Sequence, residues 1–283
     1  MPLKYFNCQA GKITVSDCLN KCPNRDGRCL SLPTLYEISK QRPDTGVYST
    51  TQLIAPTRIA YLRLKNDYAI DPYDQAFQLL GTRHHHKLDV MAKKIDMISE
   101  KYMNDGETTG ILDLLEPDIK RADCYILWDY KTWGSHPVAK ALGIVRENGK
   151  FITKPEAADL KDTALQLNNY RLKVESLGFP ISQMFVQATV RDGGTSIASS
   201  RGITSNLYKI AIPRIDNDEV IEYFNIKNAA LKNAVDNDEI PPICSYEERW
   251  GGRRCTRYCE VKEFCPEVSK PKTSYSASPY PSL

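Results

Sequence analysis

"CYILWDYKTWGS", residues 124–135, begins as an apolar run and then places Asp129 and Lys131 on either side of one tyrosine. A short stretch rich in Tyr, Ile, Leu and Trp, closed by Gly and Ser, reads as a β-strand. Residues two apart on a strand face the same way, so Asp129 and Lys131 project together while Tyr130 turns to the other face. Charges at the end of a buried strand cost free energy unless they are paired or bound to something. The D-x-K is therefore either a structural ion pair or the centre of a site, and alone it does not decide.

Its surroundings extend the pattern. Upstream, "TTGILDLLEP" is a second apolar strand, joined to the first by the charged turn "DIKRAD". Hairpin pairing brings Asp113 beside Asp129. Two carboxylates at one point repel unless a cation lies between them, and hard oxygen donors suit Mg²⁺ or Mn²⁺.

Helices surround these strands. "YSTTQLIAPTRIAYLRLKNDY" can be drawn as a helix capped by Ser49 or Thr50, with Pro56 as a break or restart. The stretch "PYDQAFQLLGTRHHHKLDVMAKKIDMISEKYM" continues as one long helix, with Leu88, Met91, Ile95 and Ile98 at three- and four-residue spacing. "AADLKDTALQLNNYRLKVESLG" is a helix ending at Gly178, "PISQMFVQATVRD" and "LYKIAIPRI" are strands, and "DEVIEYFNIKNAALKNAV" is a last helix. The pattern predicts an α/β core with a central mixed β-sheet flanked by helices.

The bulk numbers bound the function. The chain has 283 residues, 41% of them hydrophobic, and 38 Lys and Arg against 35 Asp and Glu. A net charge of +3 requires any polyanion to be met by a local patch. "RWGGRRCTRYC" supplies one, with Arg249, Arg253, Arg254, Arg257 and Trp250, the guanidinium groups and planar rings that contact phosphates and stack on bases. The alternative is a metal-stapled lobe with solvated arginines. No stretch approaches a membrane span and "MPLKYFNCQAGK" lacks a secretory apolar region, so a cytoplasmic protein with no membrane partner is expected.

Eight of the nine cysteines form two quartets, Cys8, Cys18, Cys22 and Cys29 at one end and Cys244, Cys255, Cys259 and Cys265 at the other. In a reducing compartment they read as metal ligands rather than disulfides. Each quartet supplies a tetrahedral sulfur shell for structural Zn²⁺ or an iron–sulfur cluster, zinc being favoured at the first. Cys124 reads as a small buried hydrophobe. The expected organisation is a Cys module over 1–32, a core over 33–240, a second Cys module over 241–268 and a disordered tail, 269–283, of Ser, Pro and Lys.

In chain order the motifs are G-T-x-x-H ending at His85, G-x-x-D ending at Asp113, D-x-K over Asp129–Lys131, and Q-x3-Y with Gln166 and Tyr170 on one helix face. That order resembles the RecB/Cas4-like branch of the PD-(D/E)XK nucleases, over roughly residues 49–265. The resemblance implies a restriction-endonuclease-like core and a metal-dependent deoxyribonuclease that hydrolyses phosphodiester bonds on DNA ends or single strands. His85, Asp113, Asp129 and the Tyr130 carbonyl would hold Mg²⁺ or Mn²⁺, Lys131 would act on the attacking water or the phosphate, and Gln166 and Tyr170 would face the DNA end or brace the lysine. If the stretch is helical, His84 and His86 point about 100° away from His85. Partners in recombination, repair or CRISPR adaptation follow from the same resemblance. Such nucleases share one [4Fe–4S] cluster between three C-terminal cysteines and one N-terminal one. "CTRYCEVKEFC" is similar to that triple, but Cys244 supplies a local fourth ligand, which favours two independent sites. Other readings are a catalytically inactive DNA-binding or recombination scaffold and a zinc-stapled interaction module.

Overall fold

The computed structural model describes residues 3–24, 27–41 and 45–269; the tail read as disordered lies, beyond Ser269, outside them. In chain order the first elements are β1 (Tyr5–Cys8), β2 (Gly11–Thr14), α1 (Val15–Asn20), α2 (Leu32–Ser39), α3 (Thr50–Ile54), α4 (Thr57–Lys65), β3 (Ala69–Ile70) and α5 (Ala76–Lys94). Next come β4 (Ile98–Asn104), β5 (Thr109–Pro117), β6 (Tyr125–Trp133), α6 (Ser135–Ala141), β7 (Ile144–Glu147), β8 (Lys150–Thr153) and α7 (Lys161–Ser176). The last are β9 (Ile181–Val190), α8 (Ser196–Ser199), β10 (Leu207–Ala211), α9 (Asn217–Asp236) and α10 (Pro266–Ser269).

The chain divides into two compact units. One comprises the described parts of Met1–Leu32, Pro56–Asp71 and Ala230–Leu283, the other those of Pro33–Ala55 and Pro72–Ala229. Both cysteine-bearing ends thus lie in one unit, together with α4 and β3.

The second unit is an α/β fold around a mixed sheet of order β10-β9-β6-β5-β4. β5 and β6 pair antiparallel as the charged turn suggests, while β6 and β9 run parallel. A parallel pair needs a long crossover, here α6, the β7–β8 hairpin and α7. Residues alternate between faces: Leu127 and Val186 join Leu167, Tyr170 and Val174 of α7 in the main core, whereas Tyr130 and Leu114 pack with Ala92 of α5. α7 is buried along most of its length and stops before Gly178, whose φ of +88° suits a left-handed helix end. Ser49 and Gln52 form a reciprocal capping box on α3, and Pro56 separates it from α4.

The long helix read over residues 72–103 is corrected. α5 stops at Lys94, with the Met97 and Ile95 amides both donating to the Ala92 carbonyl and Asp96 left-handed at φ +56°. An Asp in place of the usual glycine ends this helix. The residues after it form the edge strand β4 against β5. The helical spacing of Met91 and Ile95 misled because both are exposed, at 54% and 56%.

In the first unit β2-β1-β3 form a small sheet. Ion pairs Lys12–Glu263, Arg63–Glu260 and Lys65–Asp238 tie its separate chain segments together. Among the described residues no helix is long and apolar enough to cross a membrane.

One charged contact locks α7 to the turn before β5. The Lys173 ammonium, only 4% exposed, pairs with Asp105 and donates to the Thr108 carbonyl at 3.0 Å. Burial works against the Asp105 charge, yet the Lys173 hydrogen bond holds its carboxyl below the ordinary range. Asp105→Asn leaves the buried ammonium without its partner. A loss of about 2 kcal/mol is expected at neutral pH, less than for a fully buried pair because Asp105 is part-exposed. A depressed folded pKa stabilises above the unfolded value and the effect fades on acidification, so the difference should shrink below about pH 4 in urea titrations.

Candidate active site

Four elements converge on the D-x-K of β6. Gly81 opens G-T-x-x-H and lies where an added Cβ would sit 3.3 Å from the Thr132 hydroxyl, so the missing side chain lets α5 lie against β6. His85 then aims at the sheet: its Nε2 is 2.8 Å from the Tyr130 carbonyl oxygen and its Nδ1 is 3.4 Å from Asp113 Oδ1. His84 turns away, 3.5 Å from the Thr189 hydroxyl.

The β5–β6 ladder runs from Pro117↔Tyr125 to Leu114↔Trp128 and stops there. Beyond it the Asp113 side chain takes over, and its Oδ2 accepts a 2.6 Å hydrogen bond from the Tyr130 amide. The backbone of Tyr130 is thus held by Asp113 at its nitrogen and by His85 at its oxygen.

Asp129 is 3% exposed. Its Oδ1 accepts from Lys131 Nζ at 3.0 Å and from Gln166 Nε2 at 3.2 Å, and Gln166 Oε1 in turn stands 3.4 Å from Lys131 Nζ. Its Oδ2 is 2.8 Å from Lys131 Nζ but off the line of a hydrogen bond, and it is a buried side-chain oxygen with no hydrogen-bond partner. The distance makes a charge contact; the geometry leaves the lone pairs unsatisfied.

The electrostatics follow. Burial pushes the Asp129 carboxyl up to about 6 against the opposing pull of Lys131. Burial disfavours a charged Lys131, but the adjacent Asp129 outweighs it and raises the ammonium above its usual value. Burial likewise opposes a charged His85, yet hydrogen bonds to Asp113 and Glu100 raise it to about 10. With carboxylates around it, the imidazole keeps a proton. Tyr130 is pushed up to about 12, by burial first and by Asp113 and Glu116 next.

Glu100 is the site residue that the sequence reading missed. Its Oε1 is 3.7 Å from His85 Nδ1, and the donor atoms of His85, Glu100 and Asp113 all lie within 4.8 Å of one another. The β4–β5 ladder pairs Ser99 with Leu114 and Lys101 with Leu112 but skips Glu100, which has a left-handed φ of +45°. Non-glycine residues in that conformation concentrate at functional sites. Reading "MISEKYM" as a strand opposite "GILDLL" would have placed Glu100 across from Asp113.

The motif glycine of G-x-x-D and the tyrosine of Q-x3-Y touch. A Cβ at Gly110 would lie 2.4 Å from Cε1 of Tyr170, which is 5% exposed and adjoins Asp129 and Lys131 electrostatically.

None of the nine cysteines is in a disulfide. Cys244, Cys255, Cys259 and Cys265 line one small cavity with Ile59 and Leu62, and Arg58 Nη1 is 3.6 Å from Cys265 Sγ. No N-terminal cysteine lines that cavity. Burial raises the Cys244 thiol, with the Arg58 guanidinium pulling the other way. Cys124 is half-buried in the turn before β6 rather than inside a strand.

The basic patch is partly committed to its own loop. Arg254 donates to the Glu248 carbonyl at 3.3 Å and stacks 5.0 Å from the Trp250 ring, and Arg249 donates to the Ser245 carbonyl at 3.3 Å. Trp250, Arg253 and Arg257 are exposed.

No family model matches the chain, and no curated protein matches it. Its structure is similar to the crystal structure of SSO0001, with a TM-score of 0.45 and 15% sequence identity over 84% of this chain and 94% of that one. Function is therefore argued from the site.

Gly110→Ala should cost about 1–3 kcal/mol by forcing the Tyr170 ring off the strand. Pairing it with Tyr170→Leu should recover part of that loss, and a double-mutant cycle by chemical unfolding measures it; strict additivity would show that the two do not press on each other.

Proposed function

We propose that the chain is a metal-dependent DNA nuclease of the RecB/Cas4-like PD-(D/E)XK type, hydrolysing phosphodiester bonds at DNA ends or in single strands. The observation that carries this reading is the orphaned Oδ2 of the buried Asp129, within electrostatic reach of Asp113 and His85. A buried carboxylate oxygen without a hydrogen bond is costly unless a cation completes it. The donor set fits Mg²⁺ or Mn²⁺, being one imidazole among carboxylate and carbonyl oxygens. A nitrogen and an oxygen 2.8 Å apart, as His85 Nε2 and the Tyr130 carbonyl are, have the spacing of adjacent donors on one small ion, about 3 Å.

His85, Asp113 and Glu100, whose donor atoms lie within 4.8 Å of one another, would hold the ion together with the Tyr130 carbonyl, and Asp129, outside that group, would complete the set. When bound, it lowers the pKa of a water and offsets charge on the scissile phosphate. The chain's own part is positional. Asp129 and Gln166 fix the Lys131 ammonium, whose N–H groups orient the attacking water or donate to the phosphate oxygens as charge builds there. Tyr170, seated over Gly110, keeps Gln166 and the lysine from swinging out. The proton on His85 must leave as the ion enters, so ion binding should weaken as pH falls.

Asp113 on β5 and D-x-K on the adjacent β6, between α5 and α7, support a restriction-endonuclease-like core. The reading of D-x-K as a purely structural pair leaves the His85–Asp113–Glu100 cluster without a purpose. For the C-terminal quartet, four cysteines lining one small cavity supply the sulfur shell of either zinc or an iron–sulfur cluster.

The test is cleavage of end-labelled single-stranded and duplex DNA with Mg²⁺ or Mn²⁺. Lys131→Ala and Asp129→Ala should each lower the rate by about 10²-fold or more. Both should keep the circular dichroism spectrum of the parent. Asp129→Asn should also weaken Mn²⁺ binding measured by calorimetry. An active Asp129→Ala variant, or a parent inert with both ions on both substrates, would sink the reading.

A further inference from the structure

The N-terminal cysteines sit on a segment with a small buried core, held otherwise by β1–β3 pairing and the Lys12–Glu263 and Lys4–Asp67 ion pairs. Among its described residues up to Ser31, only Leu3, Phe6 and Cys18 are buried. Its regular elements are strands of four residues and a helix of six. Pieces this short do not persist on local propensity.

The local fold nonetheless gathers the thiols. Cys8 ends β1 opposite Gly11, so the hairpin turn falls immediately beside its side chain. The Thr14 hydroxyl caps α1 by accepting from the Asp17 amide at 2.9 Å, which starts the helix that holds Cys18. Cys22 follows four residues later, just past the helix end at Lys21. Arg28, the residue before Cys29, reaches back to the Leu19 carbonyl of α1 at 3.1 Å. Cys22, Cys29 and Cys8 all lie within electrostatic reach of Cys18.

We propose that Cys8, Cys18, Cys22 and Cys29 bind one structural zinc ion as four thiolates, separately from the C-terminal cysteine cavity and from the His85–Asp113–Asp129 site. The site stands whether or not the chain cleaves DNA. Four sulfurs on one short segment match the closed shell of structural zinc, and such an ion supplies the folding free energy that a small core lacks. Among the described residues no three cysteine sulfurs lie within 4.8 Å of one another. The ion therefore draws them inward, across intervening segments of nine, three and six residues that cost little to close. On binding, metal–sulfur bonds replace the S–H bonds, the protons pass to water and no electron is transferred. Zinc suits this quartet because four thiolates from one short segment form a closed tetrahedral shell around a redox-inert ion.

The experiment uses the full chain and elemental analysis. Cys255→Ser/Cys259→Ser should retain about one zinc per chain. Adding the half-exposed Cys22→Ser to that background should reduce zinc to about zero. Cys18→Ser, the buried position, should behave alike if it folds. Replacing zinc with Co²⁺ in the Cys255→Ser/Cys259→Ser protein should give the sulfur-to-metal charge-transfer and visible bands of a tetrahedral thiolate site, absent when Cys22→Ser is added. Zinc unchanged by Cys22→Ser, about four irons with sulfide instead of zinc, or a disulfide among the four detected by thiol titration in denaturant before and after reduction would each overturn the proposal. These readouts are independent of cleavage.

Discussion

Burying the Asp129 carboxylate in the middle of a sheet sets the terms for everything around it. An ionised carboxylate taken out of water is stable only against positive charge and hydrogen-bond donors. Lys131 comes from the same strand and Gln166 from α7, so the helix crossover that makes β6 and β9 parallel also delivers the second support. The neighbouring Asp113 adds repulsion rather than relief. Its carboxylate is engaged by the Tyr130 amide and by His85, both of which lie outside the β5–β6 ladder. The two strands must part at this point, because a continued ladder would occupy the Tyr130 amide and leave no room for a side chain.

The two motif glycines act as spacers around that opening. Gly81 lets a helix approach one face, and Gly110 lets an aromatic ring approach from the α7 side. Neither has a positive φ, so their role is proximity rather than backbone freedom. This gives a physical meaning to two motifs that are weak individually: in G-T-x-x-H and in G-x-x-D the glycine is the gap that lets a neighbouring element approach.

The D-x-K strand, its antiparallel neighbour and α7 were legible because each carries a strong local signal, respectively an apolar run, a charged turn and a helix closed by Gly178. β4 was not, because Met91, Ile95 and Ile98 keep helical spacing across a helix that stops at Lys94, before the left-handed Asp96. Periodicity cannot register a chain reversal made by a single left-handed aspartate. That one misreading hid Glu100, whose meaning exists only across a strand pair. The short β1, β2 and β3 and the β7–β8 hairpin escaped notice for another reason: strands of two to four residues hold too few positions for alternation to rise above chance.

Glu100 also shows why the site is more than an ion pair. A left-handed glutamate inside a strand costs of order 1–3 kcal/mol, and its side chain ends beside a ring already facing Asp113. Without a cation this arrangement collects negative charge around one imidazole, which responds by keeping its proton. A core selected for stability alone would place an apolar residue at Glu100 and remove both the strain and the charge. Retaining both is intelligible if a divalent ion takes the place of the proton. The same ion would then satisfy the Asp129 oxygen that Lys131 leaves unbonded.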